Sequence, residues 1–271
     1  MGVGLVLDCA RLRAWLSAAG GAGPTLRFVP VISVITPVHS AVGQYLAQTG
    51  ASVLGQVLPP GWELEWLVQE DGPDPHLGAL LPPDARIRYD AHGRQFGCAV
   101  TRTSALRRAR GELVFSLDGD DLLSPGAAGA YIRAAQANPG AAWFSGAYYR
   151  FGSSATPLHT GGLPLGQVPA GTVARYWEQA GRFPFPAAVV CYRAGVLLDR
   201  GGWPAVPRSD DAVLLAAVNA TWPGMIIADE IFGYRQHAAQ NTSQPWNVAL
   251  KADVVAWALR WATRLAPPAG T

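Results

Sequence analysis

The 271-residue chain has few cysteines, few charged residues and no block of like charges. Its three cysteines, Cys9, Cys98 and Cys191, lie far apart and form neither a disulfide framework nor a CxxC pair, which favours a reducing compartment. Charged residues make up 15% of the chain, and 21 basic against 19 acidic residues leave a net charge of +2. This near-balance argues against a protein that coats nucleic acid.

The chain also lacks the sequence signals of membrane insertion and export. It contains no run of about 18 or more uncharged apolar residues, the length that a membrane-spanning helix requires. Its short apolar start meets Asp8 and then Arg11 and Arg13, which reverses the charge order of a signal peptide. We therefore expect a soluble, cytoplasmic protein with no nucleic-acid partner, and we give no weight to the glycosylation sequon Asn241-Thr242-Ser243.

Strand and helix patterns alternate along the first half of the chain. Apolar residues make up 49% of the sequence, so a large buried core is expected. The predicted strands are residues 29–36, 63–69, 85–90 and 112–117, and the helices among them are residues 41–57 and 97–110. This alternation predicts an α/β fold with a doubly wound, mostly parallel sheet and helices on both faces.

The second half of the chain is less regular. Between residues 143 and 200, glycine, proline and aromatic residues alternate, which indicates short strands and loops. A helix is predicted from Asp210 to Asn219 and a strand over residues 225–235. A last, amphipathic helix is predicted over Asn247–Leu265, its apolar face formed by Leu250, Val254, Trp257, Ala258 and Trp261.

These patterns divide the chain into four regions. The boundaries are residues 1–29 for an N-terminal helical extension and linker, 30–140 for a ligand-binding half, 141–246 for a second half of the same domain, and 247–271 for the terminal helix and tail.

Polar residues follow three of the predicted strands. They are Pro37 to Ser40, Glu70-Asp71, and Asp118-Gly119-Asp120-Asp121. Ligands of doubly wound sheets bind beyond the carboxyl ends of the strands, where these residues would meet. Carboxylates as close as those of the last segment repel one another and are costly to desolvate, and a divalent cation resolves that conflict. The alternative is a solvated, Asp-rich turn that caps a helix.

These segments together resemble the GT-A-fold glycosyltransferases of family 2, which invert the configuration of the transferred sugar. The resemblance rests on SVITPVHS (33–40), VQEDG (68–72) and TRTSALRRARGELVFSLDGDD (101–121), and it continues through residues 201–215 and 232–243. It implies a GT-A-type fold whose first half binds a nucleotide-sugar, with UDP- or dTDP-sugars as the first expectation. It also implies a soluble acceptor, either a small molecule or a saccharide.

The resemblance implies a nucleotide-binding set at the ends of the first two strands. The backbone near Pro37 and Val38 would hold the base, and His39 stands beside them where the family commonly has Tyr. The carboxylate of Asp71 would accept the N3–H of uracil or thymine. Asp71 precedes a glycine, so a turn-forming role is the alternative. Glu70 would support the site rather than contact the nucleotide.

The resemblance also implies a metal and phosphate set. Asp120 would ligate Mn²⁺ or Mg²⁺ directly, and the cation would bridge the diphosphate. Asp118 would face the ribose or the metal, and His237 would reach the metal or a phosphate, unless it is only a surface or packing residue. Arg102 would contact a phosphate or, as the alternative, pair with a helix neighbour. Asp121 is expected to cap the next helix.

Asp211 is the candidate general base of the acceptor side. Inversion requires one carboxylate that takes the proton of the acceptor hydroxyl while its oxygen attacks the anomeric carbon. Because Asp210-Asp211 opens an apolar helix, an ordinary N-cap made by Ser209 or Asp210 is the alternative. We assign Asp210 to the cap or to the acceptor, and Trp203 to stacking on a sugar face.

Sequence features separate this hypothesis from other functions. The Gln-x-x-Arg-Trp motif of processive synthases is missing, because Trp257 stands where Gln is required before Arg260-Trp261. This indicates a non-processive, hexosyltransferase-like enzyme. A haloacid-dehalogenase-type sugar phosphatase would need a lysine for its phosphate, and Lys251 in the terminal helix is the only lysine. A catalytically inactive nucleotide-sugar-binding module would have lost the metal or acceptor aspartate. The sequence leaves the sugar, the acceptor and homo-oligomer formation open.

Overall fold

The computed structural model describes residues 29–153, 155–188, 190–238, 240, 245 and 249–267. The predicted N-terminal helical extension therefore lies outside the described residues, apart from its last residue. The sequon at 241–243 and the predicted start of the last helix at Asn247 also lie outside them. Across the described part of the chain, every helix is too short or too polar to span a bilayer.

The first half forms a parallel sheet, as predicted. Its strands are β1 (Val31–Val38), β2 (Glu63–Glu70), β3 (Ile87–Ala91) and β4 (Leu113–Ser116). Helix α1 (Gly43–Leu54) follows β1, and helix α2 (Cys98–Leu106) precedes β4. All eight residues of β1 are buried, as expected for a central strand that both faces of the sheet cover.

Ten strands belong to one continuous sheet in the described residues. The remaining strands are β5 (Leu122–Leu123), β6 (Trp143–Gly152), β7 (Thr156–His159), β8 (Gly166–Val168), β9 (Cys191–Arg193) and β10 (Gly224–Gln236). The order is β3-β2-β1-β4-β9-β6-β10-β5, with β7 beside β6 and β8 beside β10. Strands β3, β2, β1 and β4 are parallel neighbours, as are β6 and β10, whereas β9 is antiparallel to both of its neighbours. The predicted mixed α/β fold with a mostly parallel sheet is confirmed.

The second half contains more regular structure than its sequence pattern indicated. The helices after β4 are α3 (Ala127–Ala137), α4 (Thr172–Ala180), α5 (Ala194–Asp199), α6 (Asp210–Asn219) and α7 (Lys251–Leu265). Residues 143–200 were predicted to hold only short strands and loops, yet β6 has 10 residues and α4 and α5 are helical. Alternating aromatics concealed β6 because both of its faces are buried over most of its length.

The terminal helix α7 buries part of the predicted face, together with Ala262 from outside it. Val254, Ala258 and Ala262 are buried, at the regular four-residue spacing of one helix face. Trp257, expected on that face, is 38% exposed. Small residues let α7 lie close to the helices beneath it, and the tryptophans flank that contact.

Gly111 lies where the segment after α2 passes close to β1. A β-carbon at this position would lie 2.6 Å from the Leu113 carbonyl oxygen and 2.7 Å from the Ser33 backbone nitrogen. Because the sheet holds both backbone atoms in place, we expect Gly111→Ala to lower the free energy of unfolding by about 1–3 kcal/mol. Urea denaturation measures the loss. Gly140→Ala is the matched control, since its β-carbon would meet open space; equal unfolding midpoints for the two variants would contradict the close approach.

Candidate active site

The sheet brings the predicted nucleotide-binding segments to one edge. The Asp71 N–H donates to the Val38 carbonyl at 2.8 Å, which joins the end of β2 to the end of β1. A β-carbon on Gly119 would lie 2.8 Å from Cγ1 of Val38, so the aspartate-rich segment passes directly over the end of β1. Pro37 and Val38 are buried there, and His39 is half-buried, with its Nδ1 accepting the Ala41 N–H at 3.3 Å.

Asp71 fixes the segment that leads into α2. Its carboxylate accepts hydrogen bonds from the backbone N–H groups of Phe96 (2.6 Å) and Gly97 (2.9 Å). Gly97 has φ +91°, a left-handed conformation that favours glycine. Each carboxylate oxygen keeps a further lone pair, so this structural task leaves Asp71 able to accept one more proton donor.

Glu70 has the supporting position that we assigned to it. Its buried carboxylate accepts the N–H groups of His76 (3.1 Å) and Leu77 (2.9 Å) and the Tyr89 hydroxyl (2.6 Å). These bonds anchor the short 3₁₀ turn Leu77–Leu80 beside the sheet edge. All of these partners are groups of the protein, so Glu70 organises the loop behind the site.

Arg102 bonds to carboxylates from two distant segments of the chain. Its side chain is 3% exposed, and Nε donates to Ser116 Oγ at 3.0 Å. Nη1 donates to Asp210 Oδ2 at 2.6 Å and Nη2 to Asp118 Oδ1 at 2.5 Å. The alternative prediction, an ion pair between Arg102 and a neighbour on the same helix, is wrong, because the two acidic partners of Arg102 lie 16 and 108 positions away in the chain.

Asp120 and His237 meet as the sequence hypothesis requires. His237 Nε2 lies 2.8 Å from Asp120 Oδ2, and both side chains are largely buried. Arg235 holds this segment in place, because its Nε donates to the Asp120 carbonyl at 2.6 Å. Burial, and then the nearby charge of Asp118, raise the pKa of Asp120.

Asp121 does not cap the next helix, contrary to the sequence prediction. Helix α3 has Gly126 at its N-cap, and Asp121 Oδ1 instead accepts the Arg235 N–H at 2.8 Å. Its other oxygen, Oδ2, is buried without a hydrogen-bond partner among the described residues. Burial raises the pKa of Asp121 well above its usual range, and the charges of Asp120 and Asp118 add to the effect.

Asp210 and Asp211 have different environments at the start of α6. Asp210 is buried and pairs with Arg102, and Ser209 rather than Asp210 occupies the N-cap position. Asp211 is half-buried, and its Oδ1 accepts the Ala212 N–H at 2.8 Å. Burial, and then the charge of Asp210, raise the pKa of Asp211 to about 6. A carboxylate with this pKa is suited to take protons near neutral pH.

Ser209 precedes this pair in a strained conformation. With φ +54° it is the one non-glycine residue in the left-handed region among the described residues. It occupies the N-cap position of α6 but makes no side-chain capping bond. Such backbone strain persists where surrounding contacts fix the chain, and it concentrates at functional sites.

Trp203 lies in the wall of the cleft rather than on its surface. It is 5% exposed, and its backbone N–H and carbonyl both bond to Thr103 Oγ1, at 3.0 and 3.2 Å. Little of the indole is therefore available to stack on a sugar. It borders a cavity of about 350 Å³ on the outer side of α2, together with Gln69, Asp90, His92, Ser104 and Arg107.

Comparison with known proteins identifies the family. Residues 33–190, more than half of the chain, match the model of glycosyl transferase family 2. The chain belongs to this family. This membership decides against the phosphatase alternative.

Two related proteins are named for the biosynthesis of O-antigen and of teichuronic acid. The O-antigen biosynthesis protein RfbC of Myxococcus xanthus is 34% identical over 121 residues, which cover 43% of this chain and 9% of RfbC. The teichuronic acid biosynthesis protein TuaG of Bacillus subtilis (strain 168) is 38% identical over 94 residues, covering 34% of this chain and 36% of TuaG. The matched regions span about a third or less of these relatives.

Solved glycosyltransferase structures share the fold. TarS of S. aureus in complex with UDP superimposes with a TM-score of 0.64 at 15% identity, covering 84% of this chain and 64% of that one. The mannosyltransferase PcManGT of Pyrobaculum calidifontis, in complex with GDP-Man and Mn²⁺, gives 0.56 at 16% identity, covering 94% and 79%. These likenesses confirm the GT-A-type architecture.

The donor atoms at Asp120 and His237 fit a cation that is shared with a diphosphate. The described residues contain no group of three or more His, Cys, Asp or Glu side chains that could hold a metal by themselves. Asp118 is committed to Arg102. Hard cations such as Mg²⁺ commonly use one or two carboxylates and complete their coordination with phosphate oxygens and water. A structural metal site, closed by protein ligands, does not fit.

The two arginines that organise this site were not assigned these roles from the sequence. Arg235 appeared only within residues 232–243 of the family resemblance, and its bonds to Asp120 and Asp121 cross 115 and 114 positions. Thr49 was missed as well: its hydroxyl donates to the carbonyls of Gly119 (3.0 Å) and Asp121 (2.8 Å). The available signal for Thr49 was a polar residue on the face of the first helix that the structure buries completely.

Proposed function

We propose that this glycosyltransferase inverts the configuration of a sugar that it moves from a nucleotide-sugar to a soluble acceptor. One observation carries the proposal. A single buried arginine connects Asp118, beside the nucleotide-binding edge, to the acidic pair at the start of α6, where Asp211 has a pKa of about 6. Donor-side and acceptor-side carboxylates are thus held around one guanidinium, and this proximity supports a direct displacement.

Asp211 is the general base of the proposed reaction. It takes the proton of the acceptor hydroxyl while the hydroxyl oxygen bonds to the anomeric carbon. The bond between that carbon and the diphosphate oxygen breaks on the opposite side, and its electron pair leaves with the nucleoside diphosphate. One displacement inverts the anomeric configuration, and the proton stays on Asp211 until solvent removes it.

Asp120 and His237 would hold Mn²⁺ or Mg²⁺, and the bound cation supplies positive charge against the charge that develops on the departing diphosphate. Asp118 lies one residue before Gly119, over the end of β1, and we assign it to the ribose. Its bond to Arg102 leaves Asp118 Oδ2 available for a ribose hydroxyl.

Asp71 supports a uracil or thymine base. Its carboxylate is 6% exposed at the end of β2 and retains lone pairs beyond its bonds to Phe96 and Gly97. A hydrogen-bond acceptor that is held in one orientation favours a base whose ring presents an N–H. Uracil, thymine and guanine all present such an N–H and cytosine does not, so Asp71 alone does not separate the UDP bound to TarS from the GDP-Man bound to PcManGT; the choice of uracil or thymine follows from the family resemblance.

A nucleotide panel tests the proposed donor. We expect UDP or dTDP with Mn²⁺ to raise the melting temperature of the wild-type protein by several degrees, as a ligand at about 100 times its Kd adds about 2.7 kcal/mol. GDP, CDP, and every nucleotide in EDTA should give smaller shifts. NMR of the product made from the selected nucleotide-sugar reports whether the anomeric configuration is inverted. Retention would contradict the displacement, and ligand binding without turnover on any acceptor would favour the inactive binding module.

A further inference from the structure

Arg102 connects three segments that are distant in the chain. Its guanidinium bonds to Ser116 at the end of β4, to Asp118 just beyond it, and to Asp210 at the start of α6. The three distances lie between 2.5 and 3.0 Å, and the partners engage all three nitrogens. Among the described residues, these bonds are the direct side-chain connection between the nucleotide edge and the acidic pair.

These contacts argue against a direct role in phosphate binding. A phosphate ligand has to present N–H groups to an incoming anion, and arginine does so best with a paired fork. Here both terminal nitrogens, Nη1 and Nη2, already donate to protein carboxylates, and the side chain is 3% exposed. Releasing Arg102 toward a phosphate would leave the buried carboxylate of Asp210 without its cation, which is costly.

We propose that Arg102 is a positioning residue, which fixes the pair Asp210-Asp211 relative to the nucleotide-binding edge so that Asp211 meets the anomeric carbon. The inference rests on the proposed function, because it takes Asp211 as the base. Of the two residues in the acidic pair, Arg102 bonds only to Asp210. This bond holds the first turn of α6 and leaves the Asp211 carboxylate outside the ion pair. The same bond restrains the chain one residue beyond the strained backbone of Ser209.

The surroundings of Asp211 allow the charge of Arg102 to be separated from its geometry. Burial and the charges of Asp210 and Asp118 raise the pKa of Asp211, whereas Arg102 lowers it. The titratable and charged groups that act on Asp211 are Asp210, Asp118, Arg102, Arg208, Cys98 and Tyr192. A lysine at position 102 keeps the positive charge but offers one nitrogen in place of the planar set of three that bonds to Ser116, Asp118 and Asp210, and methionine removes the charge as well.

Two variants of Arg102 test the positioning role. We expect Arg102→Lys to lower kcat about 10- to 100-fold through misplacement of the base, with the Kd of UDP in Mn²⁺ changed by less than about threefold. Arg102→Met should lower kcat further and move the acid limb of the kcat–pH profile upward from about pH 6, because the base loses a nearby cation. Arg264→Lys and Arg264→Met are matched controls, since Arg264 is exposed in the last turn of α7 and is not among the site residues.

The outcomes separate the competing roles. A tenfold or larger rise in the Kd of UDP, with kcat retained, would make Arg102 a phosphate ligand and overturn the proposal. Unchanged kcat in Arg102→Lys, or an unmoved acid limb in Arg102→Met, would overturn it too. If Arg102→Met does not fold, as loss of a buried pair can cost about 3–5 kcal/mol, the charge-retaining variant decides. Failure of the proposed function would give a different result, because the wild-type protein itself would then show no donor binding or no turnover.

Discussion

Asp211→Asn is expected to lower kcat about 10²- to 10⁴-fold, the usual contribution of a general base, while UDP binding in Mn²⁺ stays unchanged. The amide keeps the size of the carboxylate and can still accept the Ala212 N–H that Asp211 accepts at 2.8 Å. It cannot take a proton from the acceptor. Steady-state kinetics and calorimetric titration of UDP, made on the same preparation, separate the two effects.

The wild-type kcat–pH profile gives the same base a second signature. Burial and the charge of Asp210 raise the pKa of Asp211 to about 6, and the base acts only when deprotonated. Activity should therefore rise tenfold per pH unit below about pH 6 and level off above it. This limb should be absent from the residual activity of Asp211→Asn. Asp199→Asn, at the exposed end of α5, is the matched control. Full turnover in Asp211→Asn would remove Asp211 from the role.

The central strands could be predicted because burial on both faces is visible in the sequence. β1 and β4 are continuous apolar runs, and the structure buries every residue of both. The bounds predicted for α6, Asp210 to Asn219, also agree with the structure, since an apolar run begins directly after the acidic pair. In these segments local pattern and tertiary environment favour the same structure.

The end of α2 could not be predicted from its composition. A helix was predicted through residue 110, but α2 ends at Leu106. Ala and Arg at 107–110 favour continuation, yet the chain has to turn there. It reaches β4 through Gly111, whose backbone passes so close to Ser33 and Leu113 that no β-carbon fits. Tertiary contact overrides local helix propensity at this point.

Candidate site residues could be found from the sequence, but their partners could not. Asp118 and Asp210 were both selected, and neither carried any signal that Arg102 joins them across 16 and 108 positions. The same limit explains the wrong role for Asp121, whose partner is the backbone of Arg235. Local motifs identify which side chains have chemistry, whereas ion pairs between distant segments decide which of them remain free for a ligand.

Arg235 fixes the proposed metal-binding side of the site as Arg102 fixes the proposed acceptor side. Besides its bonds to the aspartate-rich segment, its guanidinium lies 4.5 Å from the ring centroid of Tyr45 and 4.6 Å from that of Phe151. Cation–π contacts of this kind hold the planar group in one orientation. The end of β10 is thereby fixed to the aspartate-rich segment, and His237, two residues beyond, lies beside Asp120.

Asp120→Ala is therefore expected to abolish the metal-dependent part of nucleotide binding. Loss of outer-shell partners of a metal already costs about 10- to 100-fold in affinity, and loss of a direct ligand should cost at least as much. The Kd of UDP in Mn²⁺ should rise to the value that the wild type shows in EDTA. The fold should persist, because the substitution removes a buried carboxylate whose pKa is raised by burial and by Asp118. Calorimetric titration with and without Mn²⁺ measures both values.

Asp229→Ala is the matched control for the loss of a carboxylate near the same strand. Asp229 lies in β10 with its side chain 49% exposed, and its ion pair with Arg133 is long, at 3.4 Å. Exposed pairs of this kind contribute about 0–1 kcal/mol, so UDP binding and its metal dependence should be those of the wild type. If Asp120→Ala instead keeps the wild-type difference between Mn²⁺ and EDTA, Asp120 is not a metal ligand. A similar loss of UDP affinity in both variants would attribute the effect to a disturbance of the strand as a whole rather than to the loss of a metal ligand.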